Sequence, residues 1–253
     1  MKQTFLFSLI CLVVASGCKK DRERESLSNT TKYLQRYMTT TDGVSSTYTL
    51  LYDDKNRLVA YNSEEDNYHS KVTYDGNDNP IKFELESEGA KQVFEITYSN
   101  TGIPLSATSV LTYPANPELE FETAVAYETA NGKVSTMRFS NESGEESIYT
   151  LSYTGKNLTR VALTSDNSEL QLTWKYGNKK SPFSAARFDY LVIPDLFGVF
   201  SSENEIIESK LDITGLGSFI STYAYQYAAT GYPSSAVEKD EDGKESRTTY
   251  LYK

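Results

Sequence analysis

The chain has 253 residues, 38% of them hydrophobic, with 20 Tyr, 11 Phe, one Trp and two Cys. That length allows one large β domain or two small ones, and tyrosine suits a half-buried pleated surface because its ring is apolar and its hydroxyl can be wet. A formal net charge of −10 argues against nucleic acid as a partner, since phosphate binding needs clustered Lys and Arg. Acidic residues spread over turns and strand faces keep a β protein soluble.

Residues 1–17 read as a lipoprotein signal peptide. Lys2 is a short positive region, and Phe5 to Val14 is an apolar run too short to span as a mature helix. Ala15-Ser16-Gly17-Cys18 follows. Small residues ending in Cys resemble the bacterial lipoprotein signal, in which cleavage leaves Cys18 as the lipidated first residue; Ala15 stands where Leu is usual. An ordinary signal peptide with an incidental Cys is the alternative. Cys11 lies inside the discarded segment, so the mature chain is expected to hold neither a free thiol nor a disulfide. Residues 18–30 read as a flexible tether, because Lys19 to Ser28 is charged with one apolar residue. A charged stretch behind the lipidated Cys resembles outer-membrane sorting signals. The implied partner is a membrane reached through the N-terminal lipid anchor.

Residues 31–253 read as a single repeat-built β domain. Tyr33 to Met38 reads as a strand in preference to a short helix, because the Thr39–Gly43 cluster leads straight into Tyr48. Hairpins then follow without pause. The clearest is Val72 to Glu86, where apolar alternation on both sides of Asp75-Gly76-Asn77-Asp78-Asn79 gives one buried and one wet face. The last aromatic before each turn sets a period: Tyr52, Tyr74, Tyr98, Tyr127, Tyr153 and Tyr176 are 22, 24, 29, 26 and 23 residues apart. Tyr176 to Tyr227 is 51, and Tyr227 to Tyr252 is 25. Second polar turns between these, such as Glu64–Asn67 and Asp240–Lys244, make one hairpin per repeat. The fold expected is an all-β antiparallel meander of about 14–16 strands. One apolar face must be buried by curling into a barrel or half-barrel, or by folding over. Strands of about 6–8 residues with Glu and Lys on the wet face argue against a membrane-spanning barrel.

Residues 181–203 break the alternation. From Phe183 to Phe200, 12 of 18 residues are Ala, Val, Ile, Leu, Phe or Tyr, punctuated by Pro194 and Gly198. This insert is expected to be a loop with a short helix covering the inner face. Phe188, Leu191, Leu196 and Phe197 would pack on Leu172, Trp174, Tyr176, Tyr223, Tyr225 and Tyr227. A two-strand excursion without a special role is the alternative.

Tyrosine-rich hairpins behind a lipoprotein signal carry a resemblance. They include Ile96-Thr97-Tyr98-Ser99-Asn100-Thr101-Gly102, Tyr176-Gly177-Asn178-Lys179-Lys180-Ser181-Pro182-Phe183 and Tyr225-Gln226-Tyr227-Ala228-Ala229-Thr230-Gly231-Tyr232-Pro233. Over roughly residues 33–253 the chain resembles a family of bacterial lipoproteins of unknown function with a porin-like fold built of YD-like β-hairpin repeats. The resemblance implies a barrel-like antiparallel sheet and supplies no catalytic residues.

The chemistry-bearing residues are sparse. His69 is the sole histidine, which excludes a multi-His metal site within one chain, and its place beside a turn reads as surface. Glu84 with Glu86, and Glu120 with Glu122, share strand faces as solvated charge. Asp75–Asn79 looks like part of a calcium loop but lacks the terminal acidic ligand and reads as a hairpin turn. Trp174 is in phase with Leu170, Leu172 and Tyr176 and points to the core, or serves as a stacking platform. P-loop, G-x-S-x-G and C-x-x-C patterns are missing. No catalytic residue, metal or cofactor is assigned. The candidate ligand-binding residues are Trp174, Tyr176, Tyr223, Tyr225, Phe188 and Phe197. The function expected is a non-enzymatic outer-membrane lipoprotein that binds a glycan, lipid or peptide. The alternative is an assembly component docking to another envelope protein. A large concave pocket lined by Tyr and Phe would favour the first, and an exposed apolar patch or an unprotected edge strand the second.

Overall fold

The computed structural model describes residues 31–165, 168–186, 188, 190, 192–194, 200 and 202–253. The alternating segments form sixteen strands. They are β1 (Leu34–Thr41), β2 (Val44–Tyr52), β3 (Leu58–Ser63), β4 (Tyr68–Tyr74), β5 (Pro80–Ser87), β6 (Ala90–Tyr98), β7 (Pro104–Thr112) and β8 (Glu120–Ala130). The second half is β9 (Lys133–Asn141), β10 (Glu146–Thr154), β11 (Asn157–Ser165), β12 (Ser168–Lys180), β13 (Asn204–Ile213), β14 (Gly217–Tyr227), β15 (Pro233–Asp240) and β16 (Glu245–Tyr252). Each pairs antiparallel with its sequence neighbours, and β1 also pairs with β16, so the meander is a closed barrel. The half-barrel alternative falls, and Tyr33–Met38 is extended rather than helical. One expectation needs correction: apart from β3 and β4, every strand has eight or more residues, up to 13 in β12. Bulges at the strand ends continue the pairing beyond what alternation shows.

Local chemistry explains why the hairpins turn where they do. Asp53, Asp75 and Ser99 each open a turn in which the first backbone N–H donates to the carbonyl four residues on. The N–H three residues on donates back to the first carbonyl. The opening side chain accepts from further N–H groups: Asp53 Oδ1 from Lys55 and Arg57, Asp75 Oδ1 from Asn77 and Asn79, Ser99 Oγ from Thr101 and Ile103. The fourth residue must adopt positive φ, and is Asn56 (61°), Asp78 (68°) or Gly102 (76°), residue types that tolerate the left-handed region.

The β2–β3, β4–β5, β6–β7, β8–β9, β10–β11, β12–β13 and β14–β15 connections share one rim with both chain ends. We call this the terminal rim, and its opposite the distal rim. At the terminal rim Lys253 N–H donates to the Tyr33 carbonyl at 2.9 Å. Every register shift lies here, at Tyr52, Tyr74, Tyr98, Thr129, Tyr153, Tyr176 and Tyr227, and between Leu34 and Arg36. Bulges raise local twist and bend the strand, so their recurrence once per repeat curves the sheet until its ends meet. The repeat tyrosines tie successive hairpins: Tyr52 donates to the Leu34 carbonyl at 2.9 Å, Tyr74 to Leu58 at 2.8 Å and Tyr98 to Pro80 at 2.9 Å, while Tyr176 donates to Leu158.

The apolar face turns inward. Cross-strand rows such as Val72, Phe83 and Phe94, and Leu151, Val161 and Leu172, line the lumen. The outer wall is charged and ion-paired, with Lys82–Glu95 at 3.4 Å, Arg138–Glu146 at 3.0 Å and Lys175–Glu208 at 2.8 Å. The insert enters the lumen. Ala186, Val192, Ile193 and Phe200 are buried. Its described residues form turns, such as Ala186 N–H to Phe183 carbonyl at 2.9 Å, and none is α-helical. It also crosses further than expected. Phe183 meets Tyr37 edge-on at 5.5 Å, Phe188 meets Phe83 at 5.5 Å and Phe200 meets Tyr61 at 5.6 Å. Rooted between β12 and β13, the insert thus reaches β1, β3 and β5 through its described rings Phe183, Phe200 and Phe188. Closure puts opposite walls face to face across one lumen, which strand alternation alone does not reveal. Leu191, Leu196 and Phe197 lie outside the described residues.

Candidate ligand-binding cavity

Strand register assembles an aromatic cluster near the distal rim. Tyr37 on β1 directly opposes Tyr48 on β2, and Leu50 opposes Tyr61 on β3, so three inward tyrosines converge. Tyr48 stacks on Tyr37 (centroids 4.7 Å, planes 12° apart) and on Tyr61 (5.5 Å, 13°). Tyr68 on β4 meets Tyr61 edge-on at 5.4 Å. The Tyr37 and Tyr61 hydroxyls bond to each other, and burial drives both far above the usual tyrosine range. The Tyr48 hydroxyl donates to Asp66 in the β3–β4 turn, which also accepts from Ser46 Oγ at 2.8 Å and Ser63 Oγ at 3.2 Å. These donors, Tyr48 first, hold the Asp66 carboxyl below its ordinary value, and burial followed by the Asp66 bond pushes Tyr48 up to about 12.

Beside this cluster is a cavity of about 460 Å³. Its inner part is apolar, formed by Leu58, Val72, Phe83 and Leu85 from the wall and Phe188 and Phe200 from the insert. Its mouth at the distal rim carries Asp66, Ser87 and Glu88, with Tyr48, Tyr61 and Tyr68 between mouth and floor. Among the described residues no Lys or Arg lines it, and neither Asp66 nor Glu88 has an ion-pair partner.

Of the residues singled out from sequence, Phe188 lines this cavity and Phe197 lies outside the described residues. Trp174 is buried in the core. The Tyr176 hydroxyl is engaged by Leu158 and Ser202, a structural role. Tyr223 donates to Glu238 at 3.1 Å, and Tyr225 lies 6.2 Å from Tyr227. Across the β1–β16 seam, Tyr250 lies 6.3 Å from Tyr37. The closed barrel thus joins tyrosines from both ends of the sequence into one inner wall. Tyr48, Tyr61, Asp66 and Tyr68 were missed. Their signal was tyrosines flanking an acidic turn, which as sequence is one hairpin among many.

A second, more polar cavity of about 830 Å³ opens at the terminal rim, lined by turn residues such as Asn56, Asn79 and Asn100 and by Tyr74, Tyr98 and Tyr190. Leu58 and Phe188 border both cavities. The Asp75–Asn79 turn borders this second cavity through Asn77, Asp78 and Asn79, whereas His69 and Glu84 line neither. His69 faces outward opposite Glu86, and Glu84 lies among Lys71, Lys82 and Lys91 at 3.8–4.0 Å. Among the described residues no three His, Cys, Asp or Glu gather as a metal site.

No family model and no curated protein matches this chain. Solved structures do. A porin-like protein from Bacteroides vulgatus ATCC 8482 matches with a TM-score of 0.58 and 13% identity, over 88% of this chain and 99% of that one. A porin-like protein from Bacteroides uniformis ATCC 8492 matches with a TM-score of 0.54 and 16% identity, over 87% and 96%. At such identity the likeness concerns the fold alone: the chain has the all-β architecture of these porin-like proteins, a closed antiparallel barrel of sixteen strands.

Proposed function

We propose that this chain is a non-enzymatic, lipid-anchored lipoprotein of the outer membrane whose barrel holds a small ligand in the distal cavity. One observation carries the reading: a 460 Å³ space walled by six aromatic rings, with its carboxylates at the mouth and Ser70 as a polar group on the inner wall. Ligand sites are typically concave, mostly apolar and about 300–1,000 Å³, with few polar groups fixing orientation. The assembly alternative loses its edge-pairing route, because closure leaves no strand edge to extend.

The wall supports a barrel in water rather than one in lipid. Glu84, Glu95, Arg138, Arg160 and Lys210 sit on the outer face within their strands, where a spanning barrel carries an uninterrupted apolar band. Anchoring then falls to Cys18. The chain enters the barrel at Tyr33 on the terminal rim, at the end opposite the distal mouth.

A titration with the neutral reporter N-phenylnaphthylamine tests the reading. Saturable single-site fluorescence enhancement is expected, abolished in Leu85→Trp, which fills the cavity from the wall while leaving the β-sheet circular dichroism intact. Enhancement that is non-saturable, or unchanged in Leu85→Trp, would overturn it.

A further inference from the structure

The distal cavity has a chemical asymmetry that points to its ligand. Among the described residues, its only charged lining residues are Asp66 and Glu88, both at the mouth, and no described cation pairs with either. Most carboxylates of the outer wall stand otherwise: Glu84, Glu86, Glu95, Glu146 and Glu208 each face Lys or Arg within 4.0 Å. Asp66 is also prepared to stay ionised, because three hydroxyls, from Ser46, Tyr48 and Ser63, point at it. Directly beneath lie the rings of Tyr48, Tyr61 and Tyr68, two stacked and one edge-on. Aromatic faces beside carboxylates attract cations, through the ring quadrupole and through Coulomb forces at once. The same mouth repels anions and offers an uncharged head hydrogen bonds alone, without the Coulomb and ring-quadrupole attraction that a cation gains. Below the rings the lining is hydrocarbon and phenyl.

We infer that the cavity selects a cationic amphiphile, a ligand whose ammonium group sits between Asp66, Glu88 and the Tyr48–Tyr61–Tyr68 rings and whose apolar body reaches Phe83 and Phe188. This rests on the reading of the distal cavity as the binding site, and adds the class of ligand. The net charge of −10 brings cations of any kind closer, and the mouth adds carboxylates without a described cation partner beside converging rings and an apolar floor.

Three probes of similar size separate the possibilities by calorimetric titration of the full chain: benzyltrimethylammonium, benzyl alcohol and benzenesulfonate. The ammonium is expected to bind about tenfold tighter than the alcohol, with the sulfonate weakest. In Asp66→Asn and, separately, Glu88→Gln, the ammonium-to-alcohol affinity ratio is expected to fall several-fold. Glu88 is exposed, so its variant guards against an Asp66 variant that disturbs the turn. Equal affinity for the ammonium and the alcohol, or a ratio unchanged in both variants, overturns the cationic preference while leaving the cavity as a binding site. If none of the three probes saturates, the preference also falls, and the naphthylamine titration decides separately whether the cavity binds anything.

Discussion

The Tyr127 hydroxyl donates to the carbonyl of Val192 at 2.6 Å, a buried bond spanning 65 residues. Its sister tyrosines Tyr52, Tyr74, Tyr98 and Tyr176 spend the same hydroxyl on the wall, at the first carbonyl of an earlier hairpin. Tyr127 instead donates to the insert, whereas Tyr176 donates to the wall and accepts from Ser202 Oγ at the end of the insert. The repeat thus supplies a tie that one hairpin diverts to moor the lumenal segment. Tyr127→Phe keeps the ring and strands the Val192 carbonyl, at a cost of about 1–3 kcal/mol. A melting temperature lower by about 3–8 °C is expected, together with faster amide exchange at Val192 and Ile193. Exchange confined to the β8 wall would show that the bond does not hold the insert.

Gly177 and Glu205 form a second such contact at the terminal rim. A Cβ at Gly177 would collide with Glu205 Oε1 and lie 2.8 Å from its Cδ. The Glu205 carboxylate is buried and cannot swing away freely: Oε2 accepts from Lys179 N–H at 2.7 Å and Oε1 from the Tyr227 hydroxyl at 3.1 Å. Gly177→Ala is expected to destabilise by about 1–3 kcal/mol. Adding Glu205→Ala should cost less in that background than in the parent, because it removes the clash as well as the bonds. A double-mutant cycle by denaturant unfolding checks this, and strict additivity would contradict it.

Acid stability follows from the turn carboxylates. Asp75 is held below its ordinary value, chiefly by the Asn79 side-chain donor and then by the Asn79 and Asn77 backbone N–H groups, and Asp66 by the Tyr48 and Ser46 hydroxyls. A depressed folded-state value means the folded state favours the ionised form. The stabilisation is therefore complete above the unfolded carboxylate value, about 3.9, and is lost as pH falls through the lower folded values. Stability is expected to drop below about pH 4, and Asp75→Asn, which retains an acceptor oxygen, should make that drop shallower. Urea midpoints measured across the acid range test it; parallel curves for parent and variant would refute the assignment.

The proposed lipidation of Cys18 gives a cellular prediction. Cys18→Ala should abolish metabolic acyl labelling and leave the chain unprocessed or soluble. Residues 31–253, freed of the leader and tether, should then remain monodisperse without detergent, because the outer wall is charged. Unchanged labelling, or heat-modifiable gel mobility with a need for detergent, would contradict these two statements respectively.

Much of the barrel was determined locally. Alternation around Asp75–Asn79 specified a hairpin with one apolar face, since side chains on a strand point alternately to its two sides. The recurrence of Tyr52, Tyr74 and Tyr98 before turn residues specified one hairpin per repeat. The apolar density of Phe183–Phe200 required burial, because each large side chain left in water forgoes roughly 1.5–3 kcal/mol. These are properties of neighbours in sequence, so sequence carries them. Closure is different. Pairing of Tyr37 with Tyr250 joins residues 213 positions apart, and it depends on curvature summed over a bulge in every repeat. Only that sum put the insert against Tyr37, Tyr61 and Phe83 and brought Asp66 over three tyrosines. The cavity was hidden in the sequence because each of its residues, taken alone, is an ordinary member of a hairpin. Its chemistry arises from long-range proximity, which strand periodicity does not encode and tertiary packing decides.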